Sequence, residues 1–150
     1  MSTASKQREQ YICVFRIGGA SLCVAIEQVQ QVVDRLDLLP VPLAPPVVKG
    51  LINLRGTVLT ALDGGLIFGL ERNPEQETHL VVIAGGQPLS LMVDDVIEVI
   101  TYPRETLAPL PPNLDPRMRN LVNGVIYWKE ELILFVDVDH LSDCIPREAA

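Results

Sequence analysis

The stretch KGLINLRGTVLTALD, residues 49–63, decides the fold because it reads as two short strands around a tight turn. Successive side chains of a strand point to opposite faces, so Ile52 lies on one face while Asn53 and Arg55 lie on the other. Gly56 follows directly and readily adopts the positive φ that tight turns need. The pattern predicts a β-hairpin with Arg55 at or beside its tip, on the face away from the core.

This hairpin has a second copy later in the chain. NGVIYWKEELILFVD, residues 123–137, aligns with residues 49–63 without a gap, and Lys129 falls on Arg55. Upstream, GGASLCVAIEQVQQVV at 18–33 aligns with GGQPLSLMVDDVIEVI at 85–100, again without a gap. The chain therefore reads as two copies of one unit, made of a hairpin, a third strand, a loop and a second hairpin.

The repeat predicts a mainly β fold of two tandem five-stranded SH3-like β-barrel subdomains with few short helices. Closing each set of strands into a barrel hides the edges that a flat sheet would expose. We expect one domain over residues 1–150, with subdomain one at about 11–70, subdomain two at about 78–137, a closing segment at 138–143, and flexible termini at 1–10 and 144–150.

Helix is predicted to be minor, and three segments are candidates for it. IEQVQQVVD (26–34) has helical spacing of its apolar residues, DGGLIFGL (63–70) can form one turn, and VDVDHLSD (136–143) can end in a short helix. The segments before the final hairpin of each copy are rich in proline, which cannot donate to a central strand ladder, so we expect loops or edges there.

Charge and composition exclude several classes of function. The net charge is −7 and aromatic residues make up 5% of the chain, whereas nucleic-acid binders show a basic face and stacking aromatics. An acidic surface also disfavours direct binding to anionic lipid. Nucleic acid and the membrane surface are therefore not expected as partners.

The three cysteines, Cys13, Cys23 and Cys144, have no C-x-x-C spacing, so neither a disulfide framework nor a metal or other cofactor is predicted. Free thiols are typical of a reducing compartment. No apolar run approaches the length of a membrane helix, and the first ten residues lack an apolar signal segment. We expect a cytoplasmic protein.

The motif VVKGLINLRGTVLTALD resembles the signature of the CheW family, the coupling proteins of bacterial chemotaxis. The resemblance extends to VFRIGGASLCVAIEQVQQVV, LPVP and LMVDDVIEVI, and spans roughly residues 11 to 143. It implies two packed β-barrels without catalytic activity. Such proteins link the cytoplasmic tip of a chemoreceptor to the regulatory domain of the chemotaxis histidine kinase, within receptor arrays at the inner membrane.

The same resemblance implies a receptor-binding groove. Val29 and Arg55 match positions that the family uses around this groove, and Gln31, Asn53 and Gly56 accompany them. An apolar Val29 would bury against an amphipathic helix, and Arg55 would offer a forked donor to a carboxylate or carbonyl. The sequence assigns no residues to the kinase contact.

Three departures from the family pattern bear on the site. Gln31 stands where the family usually has Glu, which would leave only a neutral-to-charged hydrogen bond with Arg55. Thr60 replaces a proline, and Gly64 and Gly65 replace a Leu-Arg pair after the strand. Gln31 bears on receptor affinity or receptor choice, whereas Gly64 and Gly65 indicate an altered helix after the hairpin, in a region able to touch a neighbouring barrel. These departures are compatible with a coupling protein of a non-flagellar pathway, such as one controlling pili or gliding.

Two alternatives stay open on the sequence. Paired barrels with an apolar groove are compatible with a stand-alone peptide- or small-ligand-binding protein. The cluster Asp137, Asp139 and His140 is compatible with a metal-dependent hydrolase, although carboxylates at strand ends more often cap turns or short helices. A second acidic group, Asp94, Asp95 and Glu98, is open to the same two interpretations.

Overall fold

The computed structural model describes residues 9–103 and 107–145, with only the backbone of Glu9 and Pro103. Ten strands, β1 to β10, span Glu9–Ile17, Ala20–Ala25, Val29–Asp34, Val48–Leu54, Thr57–Asp63, Thr78–Ala84, Gln87–Val93, Asp95–Pro103, Val122–Trp128 and Glu131–Val136. Two α-helices, α1 and α2, span Gly64–Phe68 and Pro116–Arg119, and two 3-10 helices, η1 and η2, span Ile26–Gln28 and Val138–Cys144.

The strands form two five-stranded sheets that confirm the predicted mainly β fold. Sheet A has the order β8-β1-β2-β10-β9, and sheet B has the order β3-β6-β7-β5-β4. Neighbouring strands are antiparallel except for two pairs, β2 with β10 and β5 with β7, which are parallel. The two orders are equivalent, because replacing each strand of one sheet by its counterpart in the sequence repeat gives the order of the other sheet.

The sheets divide the chain differently from the expected boundaries at about 11–70 and 78–137. Each sheet takes the first hairpin of one repeat, and its other three strands from the other repeat. The chain passes between the sheets at η1 and again at Asp94, between β7 and β8. Of the expected flexible termini, residues 1–8 and 146–150 lie outside the described residues, while Gln10 belongs to β1 and Cys144 to η2.

In the described residues the core consists of three apolar clusters. The largest lies between the sheets and draws on both, with Phe15, Leu22, Leu80 and Leu91 among its fully buried members. A second cluster, around Ile12, belongs to sheet A alone, and a third belongs to sheet B. Since alternate residues of the central strands enter different clusters, these strands are buried on both faces.

The helix predictions are confirmed at two of three places. Asp63 caps α1 by accepting hydrogen bonds from the backbone N–H of Gly65 at 2.8 Å and Leu66 at 3.2 Å, and η2 follows β10 as expected. The prediction over residues 26–34 was wrong beyond η1, because residues 29–34 form β3 and alternate between partly buried and exposed positions. Within the described residues no helix has the length and apolar character needed to cross a membrane.

Candidate functional site

The site begins with the turn between β4 and β5. Leu54 pairs with Thr57, which leaves Arg55 and Gly56 as a two-residue turn with φ of +54° and +89°. Positive φ at both positions is typical of a type I′ turn, whose twist matches that of the strands it joins. The predicted positive φ of Gly56 is confirmed, and Arg55 itself adopts a left-handed conformation.

Asn53 has a structural task in this turn. Its Oδ1 accepts a hydrogen bond from the backbone N–H of Gly56 at 2.9 Å, so the side chain bridges the end of β4 to the turn. The side chain of Arg55 extends from the same turn and is exposed. In the described part of the chain its guanidinium makes no hydrogen bond or ion pair, so all its donors are available.

Arg55 and Gln31 line one open pocket of about 200 Å³. The pocket brings together β3, the β4–β5 hairpin and the β6–β7 hairpin, and its lining consists of Gln30, Gln31, Leu54, Arg55, Thr57, Leu59 and Pro88. Strand β3 has a bulge between Val29 and Gln31 where it pairs with β6. No hydrogen bond joins the side chains of Gln31 and Arg55 within the described residues.

The remaining predicted groove residues lie at different depths. Val29 begins β3 and packs, partly buried, against the core between the sheets. It does not line the pocket of Arg55, and neither do Asn53 and Gly56. The structure therefore brings Gln31 and Arg55 together, places Asn53 and Gly56 at the adjoining turn, and sets Val29 at the junction of the sheets.

Exposed apolar side chains on the edge strands were missed in the sequence. Val32 on β3 is 45% exposed, and Val99 on β8 is 51% exposed. Ile97 on β8 and Tyr11 on the adjoining strand β1 are exposed as well. Val32 and Val99 occupy equivalent positions of the ungapped repeat. The sequence could therefore have shown that these two valines form a pair, with one on each sheet.

The acidic residues at strand ends bond to turns and to a histidine. Both oxygens of Asp94 accept backbone N–H groups, from Gly18 at 2.7 Å and from Asn73 at 2.9 Å. Asp94 is 4% exposed, so these bonds also satisfy a carboxylate buried between segments. Asp95 and Glu98 are exposed on β8.

In the second acidic group, Asp137, Asp139 and His140, the two carboxylates bond to different partners. Asp139 accepts from the backbone N–H of Gly85 at 3.0 Å and from the amide of Gln28 at 3.3 Å, while Asp137 contacts Nδ1 of His140 at 2.7 Å. Across residues 9–103 and 107–145, no three His, Cys, Asp or Glu side chains converge in an arrangement able to hold a metal ion.

The thiols are poor nucleophiles in this structure. Burial raises the pKa of Cys13 and of Cys23, and for Cys23 the proximity of Cys13 adds to the rise. Burial also raises the pKa of Cys144, with the nearby Asp143 carboxylate as a second cause. A raised thiol pKa lowers the thiolate fraction that redox chemistry requires.

Known proteins resemble this chain over most of its length. The family model of the CheW-like domain matches residues 11–144. The "Chemotaxis protein CheW" of Rhizobium meliloti (strain 1021) is 29% identical over 141 residues, covering 93% of this chain and 91% of that protein. "Protein PilI" of Pseudomonas aeruginosa is 27% identical over 128 residues, covering 81% of this chain and 69% of that protein.

A solved structure agrees with these relatives. The crystal structure of the scaffolding protein TtCheW from Thermoanaerobacter tengcongensis matches with a TM-score of 0.80 and 26% sequence identity, covering 88% of this chain and 86% of that one. Fold, repeat and sequence thus point the same way, and the chain belongs to the family of CheW-like domains.

Proposed function

We propose that this protein is a non-enzymatic scaffold of chemotaxis-type signalling that couples the cytoplasmic tip of a chemoreceptor to the regulatory domain of the chemotaxis histidine kinase. The observation that carries the proposal is the CheW-like match over residues 11–144. The names of the relatives and of the solved structure, which refer to chemotaxis and to scaffolding, support the same role. The protein would act in the cytoplasm, recruited to receptor arrays at the inner membrane.

Arg55 is the residue on which the receptor contact would depend most directly. Its guanidinium is exposed at a rigid turn and has no partner within the described residues, so binding would not first require breaking an internal ion pair. Arginine at such a position combines an apolar stem with a planar, forked donor. The adjoining Gln31 would contribute an amide to the same partner surface.

An apolar contact would accompany this polar one. Val29 lies at the junction of the sheets, and Val32 and Val99 expose apolar surface on the edge strands β3 and β8. A helical receptor tip can bury one apolar face against such positions and present polar side chains to Arg55. Strands β3 and β8 would thus both contribute to the groove.

Co-sedimentation with partners from the same genome tests this function. Purified protein would be mixed with a receptor cytoplasmic fragment and the kinase, and the pellet assayed for all three. We expect the wild type to join both partners. Arg55→Glu should lose receptor binding while its unfolding temperature stays unchanged, because the side chain is exposed and unpartnered in the described structure.

Lys129→Glu is the matched control. Lys129 occupies the equivalent turn of sheet A with φ of +49°, so it carries the same charge reversal in the same backbone setting. Equal loss of receptor with both variants would show a general charge effect and contradict a specific role for Arg55. A wild-type protein that pellets with neither partner would overturn the coupling function.

Hydrolysis at Asp137, Asp139 and His140 is not supported by the geometry. Asp139 is bonded to the turn at Gly85 and to Gln28, whereas Asp137 faces His140. The two carboxylates therefore have separate partners in the described structure. We assign no catalytic role to this cluster.

A further inference from the structure

A cavity of about 420 Å³ opens at one end of sheet A, apart from the pocket of Arg55. Its lining includes three residues that carry amides, Gln10, Gln28 and Asn123, together with the acidic Glu27 and the aromatic Tyr102 and Phe135. This volume falls in the range of small-ligand sites. None of these residues lines the pocket that contains Arg55.

Two aromatic rings form one corner of the cavity. The ring centroids of Tyr102 and Phe135 are 6.0 Å apart, with 62° between the ring planes. Both residues belong to the core of sheet A and are only 5% and 8% exposed. Core packing holds the two rings in place, so the small area that they expose is a fixed apolar part of the cavity wall.

The repeat allows this end of sheet A to be compared with the equivalent end of sheet B. Gln10 lies opposite Tyr102 in the strand register, and their equivalents in sheet B are Glu77 and Arg35. In sheet B this pair is an ion pair with an N–O distance of 3.6 Å. Sheet A has thus lost both charges of the pair at the position where its cavity opens.

A second cation is missing from sheet A in the same region. Asn123 occupies the position of Lys49, whose ammonium lies 3.9 Å from the carboxylate of Asp63 in sheet B. The apolar residues differ too, because Ala25 replaces Met92 and Phe135 replaces Ala61. Sheet A therefore has an aromatic wall and open volume where sheet B has two cationic side chains.

Glu27 is a carboxylate without the structural task of its counterpart. Its equivalent, Asp94, uses both oxygens to hold the backbone of Gly18 and Asn73. The turn equivalent to that of Gly18 is held by Asp139 instead, through the N–H of Gly85. Glu27 is exposed, and its carboxylate makes no hydrogen bond or ion pair in the described part of the chain.

We propose that this cavity binds an organic cation, namely a guanidinium or alkylammonium group attached to a short apolar chain. The Glu27 carboxylate would pair with the positive group, the exposed parts of Tyr102 and Phe135 would contact its apolar stem, and the amide oxygens would accept its remaining N–H groups. The net charge of −7 favours the approach of such a cation. The site does not depend on the coupling function.

Two sources supply this chemistry, a free amine and an arginine side chain of a partner protein. Isothermal titration calorimetry with agmatine tests the first source, and with the blocked peptide N-acetyl-Gly-Arg-Gly-amide the second. The same peptide with citrulline in place of arginine has almost the same shape without the charge. Side-chain NH₂ signals of Gln28 and Asn123 in ¹⁵N–¹H spectra report whether binding occurs at this cavity.

Three variants of the full chain complete the experiment. Glu27→Gln removes the charge, Ala25→Met fills the cavity with the residue found in sheet B, and Glu98→Gln removes an exposed carboxylate that does not line it. We expect saturable binding of at least one cationic probe. Glu27→Gln should weaken binding at least about tenfold, the value of one charge-assisted hydrogen bond. Ala25→Met should also weaken it, and Glu98→Gln should not.

The proposal has clear failing outcomes. Absence of saturable binding with both cationic probes would overturn it, as would equal binding of the citrulline peptide. Affinity unchanged by Glu27→Gln would show that the charge is not used and would also overturn it. Tighter binding of the peptide than of agmatine would support the site and identify a partner side chain as the source, and the reverse would identify a free amine.

Discussion

At the residue scale, the Arg55–Gly56 turn shows how one backbone angle governs a site. Gly56 has φ of +89°, and a Cβ added there would meet no atom within 4 Å. Space is therefore not the constraint at this position, and it is the backbone conformation that favours glycine. Arg55 is held at the tip only as long as this turn persists.

Replacing Gly56 with valine should destabilise the protein by at least about 1 kcal/mol, because a β-branched residue is strained at positive φ. Urea unfolding followed by circular dichroism measures the change. Gly56→Asn is the control, since asparagine tolerates the left-handed conformation and should cost less. An unchanged midpoint for Gly56→Val would show that the turn adopts another conformation in solution.

In the equivalent turn of sheet A, we expect a substitution to glycine to increase stability. Glu130 occupies the position of Gly56 and has φ of +66° with a non-glycine side chain. Glu130→Gly should relieve that strain and raise stability by a few tenths to about 1 kcal/mol, part of the gain being offset by the greater freedom of glycine in the unfolded chain. The same urea titration measures it, and a loss of stability would mean that the Glu130 side chain contributes more than its strain costs.

At the scale of elements, the pattern of the sequence predicted strands and hairpins well but misplaced one boundary. Apolar residues at 26, 29 and 33 fit a helix, and the segment VQQVVD (29–34) does not alternate apolar with polar residues, so its periodicity carries no strand signal. Residues 29–34 form a strand because they pair with β6, whose residues lie far away in the sequence. The site, too, was predicted only in part. The turn of Arg55 was readable locally, whereas the exposure of Val32 and Val99 depends on which strands lie at sheet edges.

The crossover between β7 and β8 is a single residue, and its side chain joins three segments. Asp94→Asn should lower the free energy of unfolding by about 1–3 kcal/mol, because a neutral amide has only one oxygen for the N–H groups of Gly18 and Asn73 and lacks the charge that strengthens both bonds. Asp95→Asn, one residue further along and exposed, should change it little. Urea unfolding of both variants checks the difference, and equal stability of the two would contradict the role given to Asp94.

At the scale of the whole molecule, the repeat was visible in the sequence but the exchange of strands between sheets was not. The strands are exchanged because the connection between β2 and β3 is short. Ala25 at the end of β2 lies opposite Ile12, whereas the strand that pairs with β1 begins opposite Arg16. Reaching that point within one sheet means travelling roughly 13 Å along the strand and two strand spacings across it.

The connection between β2 and β3 is too short for that path. The three residues of η1 separate the strands, and a 3-10 helix advances only about 2 Å per residue. The chain therefore moves to the other sheet, and the single residue Asp94 has the same effect in the second repeat. The length of the connection indicates that the next strand must join the other sheet. The hydrophobic pattern alone does not reveal which sheet a strand joins.

Because each sheet is assembled from both repeats, neither half of the chain should fold as a monomer. Cutting the exposed loop between Glu75 and Gln76 gives fragments 1–75 and 76–150, each carrying one hairpin of one sheet and three strands of the other. We expect each monomeric fragment to lack a cooperative unfolding transition, and an equimolar mixture to regain it together with strand-like circular dichroism. Light scattering identifies fragments that pair with themselves, which the repeat allows. A monomeric fragment that unfolds cooperatively would show that one half suffices to complete a sheet, and that strand exchange is not required for folding.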